Sequence, residues 1–364
     1  MRRILAFVLL AVFAAACSKK DEDKPQMETH DFRPTTISRA YVAMIENPNA
    51  DRVLLIGEEA RRCEVVFRNA GVEPSLTIDG KYDLVVMACD TISPESLRKV
   101  RGYMTATGVL AWMVDVNGVT AAKFKKMLES FSLLDTKLWM VGEKRWLVTG
   151  RNRPTKIYLE DMLEIFAREG AVEDLVTAKC PSLATLLAGY AGMIKDIMPA
   201  FDGGNLSAEV RPEFFLTRNI PSIEWVSASG LDEDIARQME AQYMALQKER
   251  RNIVEGNILA QAGKEKEAIE KWSAAAAKSP ADLFILERLD RLDRNARGFV
   301  EVGKILMAMK CFETMVLIKP NDAVAVHNFG MCLQKFGRGD LAKKVFARAK
   351  ELTDGKAKIS PSPK

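Results

Sequence analysis

The first residues of chemical interest lie where an apolar segment runs into a turn. Residues 52–57 (Arg-Val-Leu-Leu-Ile-Gly) have the pattern of a buried strand that ends on Gly57. A loop that holds a phosphate or nucleoside after such a strand uses glycines, because the backbone must approach the ligand closely. Glu58 and Glu59 follow instead, and their carboxylates would repel an anion. The turn therefore predicts an enzyme-like domain whose nucleotide loop has been lost.

The two glutamates have two interpretations. As a pair, Glu58 and Glu59 could recognise a cationic group through charge complementarity. Alternatively, they are acidic residues at a helix amino terminus, where the helix dipole favours negative charge. We prefer the second interpretation.

Asp90 is the one weak candidate for a catalytic residue. It follows the apolar run at residues 82–88, and sheets of this kind place chemistry at the carboxyl ends of their strands. A general base also needs a substrate held beside it, and no neighbouring motif supplies that hold. The alternative is a cap for the helix that begins near Ser93, or a solvated aspartate in a turn.

The histidines and cysteines are too few and too far apart in the sequence to predict a catalytic triad, a metal site or a disulfide framework. The chain has two histidines, His30 and His327, so no histidine-based triad or metal cluster can be assembled. Beyond Cys17, five cysteines stand at positions 63, 89, 180, 311 and 332, without close-paired metal spacing or an even disulfide count. We expect core thiols, no metal and no cofactor.

The amino terminus has the pattern of an export signal. Arg2 and Arg3 precede a 13-residue apolar run that ends in Ala-Ala-Ala-Cys-Ser at residues 14–18, shorter than the roughly 20 residues of a membrane-spanning helix. Small residues before a cysteine resemble the bacterial lipobox. We therefore predict a signal peptide at residues 1–17 with lipidation at Cys17; ordinary cleavage after Ala16 is the alternative.

The segment after the signal peptide is interpreted from its composition. Residues 18–36 are charged and poor in bulky apolar residues, so we expect a flexible tether. The formal net charge of the chain is only +4, with basic and acidic residues interspersed, and this excludes an electrostatic footprint for nucleic acid.

Strand and helix patterns alternate over residues 37–229. Helical patterns cover residues 38–45, 93–97 and 120–131, and strand-like runs cover residues 52–57, 82–88, 108–114, 137–141 and 146–149. This alternation predicts an α/β domain, and the family resemblance described next implies that the domain is Rossmann-like.

The order of these segments resembles a known family. Residues 47–57, 82–86, 108–112, 138–139 and 146–148, together with Asn-Leu-Ser-Ala-Glu-Val-Arg-Pro-Glu-Phe at residues 205–214, are similar to the spermidine synthase (polyamine aminopropyltransferase) branch of the S-adenosylmethionine-dependent methyltransferase fold. The resemblance covers roughly residues 38–225.

The functional residues that the resemblance implies are not preserved. Only Gly57 remains of the glycine loop, and Ala88 stands where the family has its catalytic aspartate, with Asp90 two residues later. The segment from Gly57 to Tyr82 is far shorter than the two strands and a helix that the family has there. The nucleoside-binding edge is therefore expected to be cut short, and a small-molecule ligand is not expected.

After residue 230 the pattern becomes purely helical. Small and large residues alternate in three units that resemble tetratricopeptide repeats. Ala296 and Gly330 are separated by the repeat length of about 34 residues, and Gly256 and Ala296 by about 40. An insertion of about six residues is expected near residues 283–291. The predicted packing residues are Gly256, Ala268 and Trp272, then Ala296, Ala308 and Phe312, then Gly330, Ala342 and Phe346.

These observations predict the domain order and the function. We expect an all-α repeat domain at residues 230–356 that binds a protein partner, although a structural cap on the α/β domain is the alternative, and a disordered tail at residues 357–364. The expected protein is a membrane-anchored lipoprotein of the bacterial cell envelope with a non-catalytic α/β domain. The competing hypotheses are an active aminopropyltransferase or methyltransferase, and a non-catalytic polyamine-binding protein.

Overall fold

The computed structural model describes residues 33–90, 92–131, 133–178, 180, 182–201, 206–216, 220–231, 233–280 and 282–354. Cys17, most of the predicted tether and the predicted tail lie outside the described residues. The chain divides into two compact units, Met1–Lys248 and Glu249–Lys364.

The first unit contains a seven-stranded mixed sheet. Its strands are β1 (Val53–Ile56), β2 (Pro74–Ser75), β3 (Tyr82–Ala88), β4 (Met104–Asp115), β5 (Leu134–Met140), β6 (Arg145–Arg151) and β8 (Tyr190–Met193). They are arranged in the order β2-β1-β3-β4-β6-β5-β8. The first four are parallel, β6 is antiparallel to both β4 and β5, and β8 is antiparallel to β5. A separate pair joins β7 (Ile157–Tyr158) to β9 (Val226–Ser227).

Helices flank this sheet. They are α1 (Arg33–Glu46), α2 (Glu58–Arg61), α3 (Glu64–Asn69), α4 (Pro94–Tyr103), α5 (Ala121–Ser130), α6 (Leu159–Phe166), α7 (Glu169–Thr177), α8 (Leu183–Leu187), α9 (Ile194–Ile197) and α10 (Glu213–Leu216), with a 3₁₀ turn at Met198–Phe201. Ser93 caps α4 by accepting from the Ser96 amide at 3.0 Å, and Thr120 caps α5 by accepting from the Lys123 amide at 3.2 Å.

The apolar runs predicted at residues 82–88 and 108–114 lie in the central strands β3 and β4. Central strands can be apolar throughout because both faces of the sheet are covered. Strand β3 has the bounds that its apolar run predicts, and residues 109–114 of β4 are all buried. Between β1 and β3 the chain forms only two short helices and the two-residue β2. This small segment is expected from the sequence, because Gly57 and Tyr82 are close together in the chain.

A buried group of charges joins α1 to the sheet. Lys137 Nζ lies 2.9 Å and Arg151 Nη2 lies 3.0 Å from Glu46 Oε2, and all three side chains are at most 2% exposed. Burial alone would raise the pKa of Glu46, but the two cations outweigh it and hold that pKa below its ordinary value.

The second unit consists of helical hairpins. The long helix α11 (Glu233–Gln261) runs into it and is followed by α12 (Glu265–Lys278), α13 (Leu283–Glu301), α14 (Ile305–Ile318), α15 (Ala323–Lys335) and α16 (Gly339–Thr353). Three hairpin turns repeat one geometry: Gly263, Gly303 and Gly337 have φ of +76°, +73° and +83°. In each turn, the next residue donates its amide to the carbonyl five residues earlier, which is the Schellman helix end.

Helix α13 is longer than α15. Helix α13 has 19 residues and α15 has 13, a difference of six. From the capping Asp282 to Ala296 there are 14 positions, whereas from Asp322 to Gly330 there are 8. The added residues therefore lengthen the first half of α13, where the sequence predicts them.

Two predicted boundaries differ from the structure. Residues 33–36, assigned to the tether, belong to α1, because Thr35 and Thr36 are buried rather than solvated. The two units divide between Lys248 and Glu249 rather than at residue 230. The first half of α11 belongs to the α/β unit, because Gln247 donates to the carbonyls of Ala188 (3.0 Å) and Tyr190 (2.8 Å).

Candidate functional site

The candidate site lies at the carboxyl ends of β1 and β3. In a sheet with the order 2-1-3-4, the connections reverse direction between β1 and β3, and α/β proteins bind ligands in the crevice at that switch point. The sequence places Gly57 after β1, and Ala88 and Asp90 at the end of β3.

Gly57 has φ of +91° and precedes α2. A Cβ at this position would fall far inside van der Waals contact with the carbonyl oxygen of Ala88. The glycine is therefore required because the ends of β1 and β3 approach each other closely.

Glu58 and Glu59 both make an ion pair with Arg62, but their exposure and their other partners differ. Glu58 is 85% exposed and makes an ion pair with Arg62 at 2.8 Å. Glu59 is only 26% exposed and faces three arginines: Arg39 at 2.6 Å, Arg145 at 3.1 Å and Arg62 at 3.1 Å. Thr36 Oγ1 also donates to Glu59, at 3.3 Å. We call Arg39, Glu59 and Arg145 the edge cluster.

The edge cluster crosses the end of the sheet. Arg145 begins β6 and pairs in register with Asp115, the last residue of β4. From β1 to β6 the sheet has three strand spacings, about 14 Å in all. The contact between Glu59 and Arg145 therefore extends across the carboxyl ends of β3 and β4, where a ligand of a doubly wound sheet would lie.

Arg39 is the most buried member of the edge cluster. Its side chain is 2% exposed, and Glu59 is its ion-pair partner among the described residues. Burial lowers the pKa of Arg39, an effect that the negative charge of Glu59 opposes. Its Nε makes no hydrogen bond within the part of the chain that the structure describes. The guanidinium therefore depends on Glu59 for its compensation.

Residues 206–210 cover a second part of the same edge. Leu206 and Ala208 accept hydrogen bonds from the first amides of α5, and the Val210 amide donates to Val119 at 2.7 Å. Glu209 accepts from the Gly118 amide at 3.0 Å and makes an ion pair with Lys144, and these contacts lower the pKa of Glu209. The start of this segment, Asn205, lies outside the described residues.

Asp90 makes no polar contact with the edge cluster or with residues 206–210. Its side chain is exposed and makes no ion pair or hydrogen bond with the described residues. The cap of α4 is Ser93, so Asp90 does not serve as that cap. It stands as a solvated aspartate just beyond β3.

The predicted packing residues of the helical unit contact one another within hairpins. A Cβ added to Gly256 would lie 2.7 Å from Trp272 Cδ1, and one added to Gly330 would lie 2.8 Å from Phe346 Cε1. The remaining small residues of the set, and Trp272 and Phe312, are buried: Ala268, Ala296, Ala308 and Ala342 are at most 2% exposed. Each small residue therefore makes room for the approach of a neighbouring helix.

Phe346 corrects one expectation. The pattern predicts a core residue, but the ring is only half-buried. It packs on His327 with ring centroids 5.2 Å apart. Helix α16 is the last described helix, so no further described hairpin covers the side of Phe346 that faces away from α15.

Arg39 and Arg145 were missed by the sequence analysis. The one signal for Arg39 is a cation inside the apolar run of α1, next to Ala40 and Tyr41. A buried cation in such a run requires a counterion. Nothing in the sequence marks Glu59 as that counterion.

Comparisons with known proteins are negative. No protein-family model matches the chain, and no curated protein matches it. Within the described ranges, no three His, Cys, Asp or Glu side chains are grouped so that they could hold a metal ion. The helices of those ranges include none with the length and apolar content needed to cross a membrane.

Proposed function

We propose that this protein is a lipid-anchored cell-envelope protein in which a non-catalytic aminopropyltransferase-like domain carries a tetratricopeptide-type array that binds a protein partner. The observation that carries the non-catalytic assignment is the edge cluster. Glu59 occupies the position after β1 where a nucleoside loop would need a small residue, and it is bonded to Arg39 and Arg145. A cofactor would have to displace these ion pairs and leave the buried guanidinium of Arg39 without a counterion.

Two features support the proposed family assignments. The parallel set β2-β1-β3-β4 is a doubly wound arrangement, in keeping with a methyltransferase-type sheet that has lost part of its binding edge. Three hairpins have recurring glycine turns, at Gly263, Gly303 and Gly337. The last two turns are separated by the tetratricopeptide repeat length of about 34 residues, in keeping with repeats of that family.

The surface of the helical unit supports partner binding. Among the described residues, fifteen large apolar side chains are exposed, and nine of them lie in this unit, which has about a third of those residues. Five of them surround two hairpin turns: Val302, Leu306, Met307, Phe336 and Leu341. Turns that join the two helices of successive hairpins lie at the same end of a stack. Grouped apolar side chains on a surface mark interaction sites.

The test compares two pairs of substitutions at exposed positions. Val302→Asp with Phe336→Asp changes the turn surface, whereas Leu317→Asp with Val324→Asp changes exposed residues near the turn between α14 and α15. Chemical cross-linking in envelope preparations should give a defined adduct with the wild type and the second variant, and not with the first. Equal adduct formation by both variants, with both folded by circular dichroism, would assign the partner site elsewhere.

The anchor is tested separately. Cys17→Ser should move the protein from the membrane fraction to the soluble fraction. Membrane partitioning of this variant, with no acyl chain on the wild type by mass spectrometry, would contradict the lipoprotein assignment.

A further inference from the structure

A cavity of about 530 Å³ opens beside β8, at the edge of the sheet formed by β5 and β8. Its volume lies within the range of about 300–1,000 Å³ that is typical of small-molecule sites. The cavity is four strands away from β3 in the sheet order, so it is separate from the crevice at the edge cluster. All of its lining residues belong to the first unit.

Aromatic rings form one wall of the cavity. Tyr190 and Trp225 meet edge to face, with ring centroids 5.5 Å apart. The face of Trp225 already holds a cation, because Lys137 Nζ lies 4.1 Å from its ring centroid. Met193, Ile197 and Phe215 add apolar surface.

The charged side chains among the described residues that line the cavity are all acidic. Asp196 and Glu224 are exposed and make no ion pair or side-chain hydrogen bond with the described residues. Asp135 differs, because its Oδ2 lies 3.4 Å from Lys137 Nζ and 3.3 Å from Arg151 Nε. No lysine, arginine or histidine is among the described lining residues. Among the described lining residues, Asp196 and Glu224 are therefore the charged side chains without an ion-pair partner.

The backbone conformation at Asp135 directs its carboxylate towards the buried cations Lys137 and Arg151 rather than towards a ligand. Asp135 has φ of +49°, in the left-handed region, at a register shift of β5 between Leu134 and Lys137. A bulge of this kind redirects a side chain. Here the carboxylate compensates the buried Lys137 and Arg151, and Asp196 and Glu224 remain for a ligand.

We propose that this cavity binds an organic ammonium group carried on a short apolar stem. The ammonium would lie between Asp196 and Glu224 and against the aromatic wall, because carboxylates and ring faces both attract a cation. The stem would lie on Met193, Ile197 and Phe215. A second positive charge on the stem would meet apolar surface, so the site favours a monocation. This inference departs from the sequence-based expectation that a small-molecule ligand is absent, and it does not depend on the proposed function.

The same chemistry is presented by a free alkylamine and by a lysine side chain of a peptide. Calorimetry and tryptophan fluorescence on the full chain should therefore use n-hexylammonium and a short blocked peptide with one lysine. Hexanol and hexanoate are matched controls that lack the positive charge, and 1,6-diaminohexane adds a second one. Tighter binding of the peptide would assign the site to a protein side chain, and tighter binding of hexylammonium would assign it to a free amine.

The variants are Asp196→Asn and Glu224→Gln, with Glu164→Gln as the control at an exposed position outside the cavity. We expect saturable binding of at least one monocation, weakened at least about fivefold by each cavity substitution and unchanged in Glu164→Gln. Both cavity residues are exposed, so thermal midpoints should stay unchanged. The proposal is overturned if neither monocation binds saturably, if hexanol or hexanoate binds as tightly, or if the control loses binding equally.

Discussion

Glu59→Gln tests the edge cluster through stability. The substitution keeps the shape of the side chain but removes the charge that compensates Arg39, which is 2% exposed. Leaving a buried charge without its partner costs about 3–5 kcal/mol. Glu59 itself is 26% exposed, so solvent screening reduces the expected loss to about 1–3 kcal/mol. For a unit of this size, a loss of about 2 kcal/mol lowers Tm by about 4–8 °C.

Urea unfolding followed by tryptophan fluorescence is the assay. Four of the five tryptophans (Trp112, Trp139, Trp146 and Trp225) lie in the α/β unit, so the signal reports mainly on that unit. Glu58→Gln is the matched control, because Glu58 is 85% exposed and pairs only with an exposed arginine. It should change stability by less than about 0.5 kcal/mol.

A double substitution tests whether Glu59→Gln lowers stability by leaving the charge of Arg39 without a partner. Arg39→Met with Glu59→Gln removes the buried charge and its partner together, and should recover a large part of the stability lost by Glu59→Gln alone. An equal loss for Glu58→Gln and Glu59→Gln would refute the reasoning. Additive losses of the two single changes would also refute it, because Arg39 and Glu59 would then be uncoupled.

Three further predictions concern other residues. Phe312→Ala, at a ring 4% exposed, should destabilise the helical unit by about 3–5 kcal/mol, and the half-buried Phe346→Ala should cost clearly less by thermal unfolding; equal losses would contradict the difference in burial. Gly57→Ala should lower the stability of the α/β unit in urea, because a side chain there meets the Ala88 carbonyl and φ is +91°; an unchanged midpoint would contradict the close approach of β1 and β3. Glu46→Gln should destabilise most at neutral pH: the folded-state pKa of Glu46 is below its ordinary 4.5, so the stabilisation is present above that value and is lost as pH falls through the lowered pKa. The difference between wild type and this variant should therefore shrink in acid, and a constant difference from neutral to acid pH would be the contrary result.

Much of the α/β unit could be predicted because its signals are local. The continuous apolar run at β3 and the capping residues Ser93 and Thr120 each specify structure within a few residues. In the helical unit, the hairpin turns are also specified locally, because a glycine follows the first helix of each hairpin. The greater length of α13 than of α15 was also predictable, from the unequal spacing of Gly256, Ala296 and Gly330 in the sequence.

The edge cluster could not be predicted because its members are distant in the chain. Arg39 and Glu59 are 20 residues apart, and Glu59 and Arg145 are 86 apart. Their contact depends on β6 lying beside β4, an order that no local pattern specifies. Likewise, the sequence predicts Gly57 as part of a lost nucleotide loop, but it does not reveal that β3 requires a glycine at this position.

We expect the ion pairs of Glu59 with Arg39 and Arg145 to keep a nucleoside out of the crevice at β1 and β3. The most direct test is calorimetric titration of the full chain with S-adenosylmethionine and its decarboxylated form, from micromolar to millimolar concentration. We expect no saturable binding of either nucleoside. Saturable binding that Gly57→Arg abolishes, in a variant that remains folded, would contradict the claim and return Asp90 to consideration as a catalytic residue.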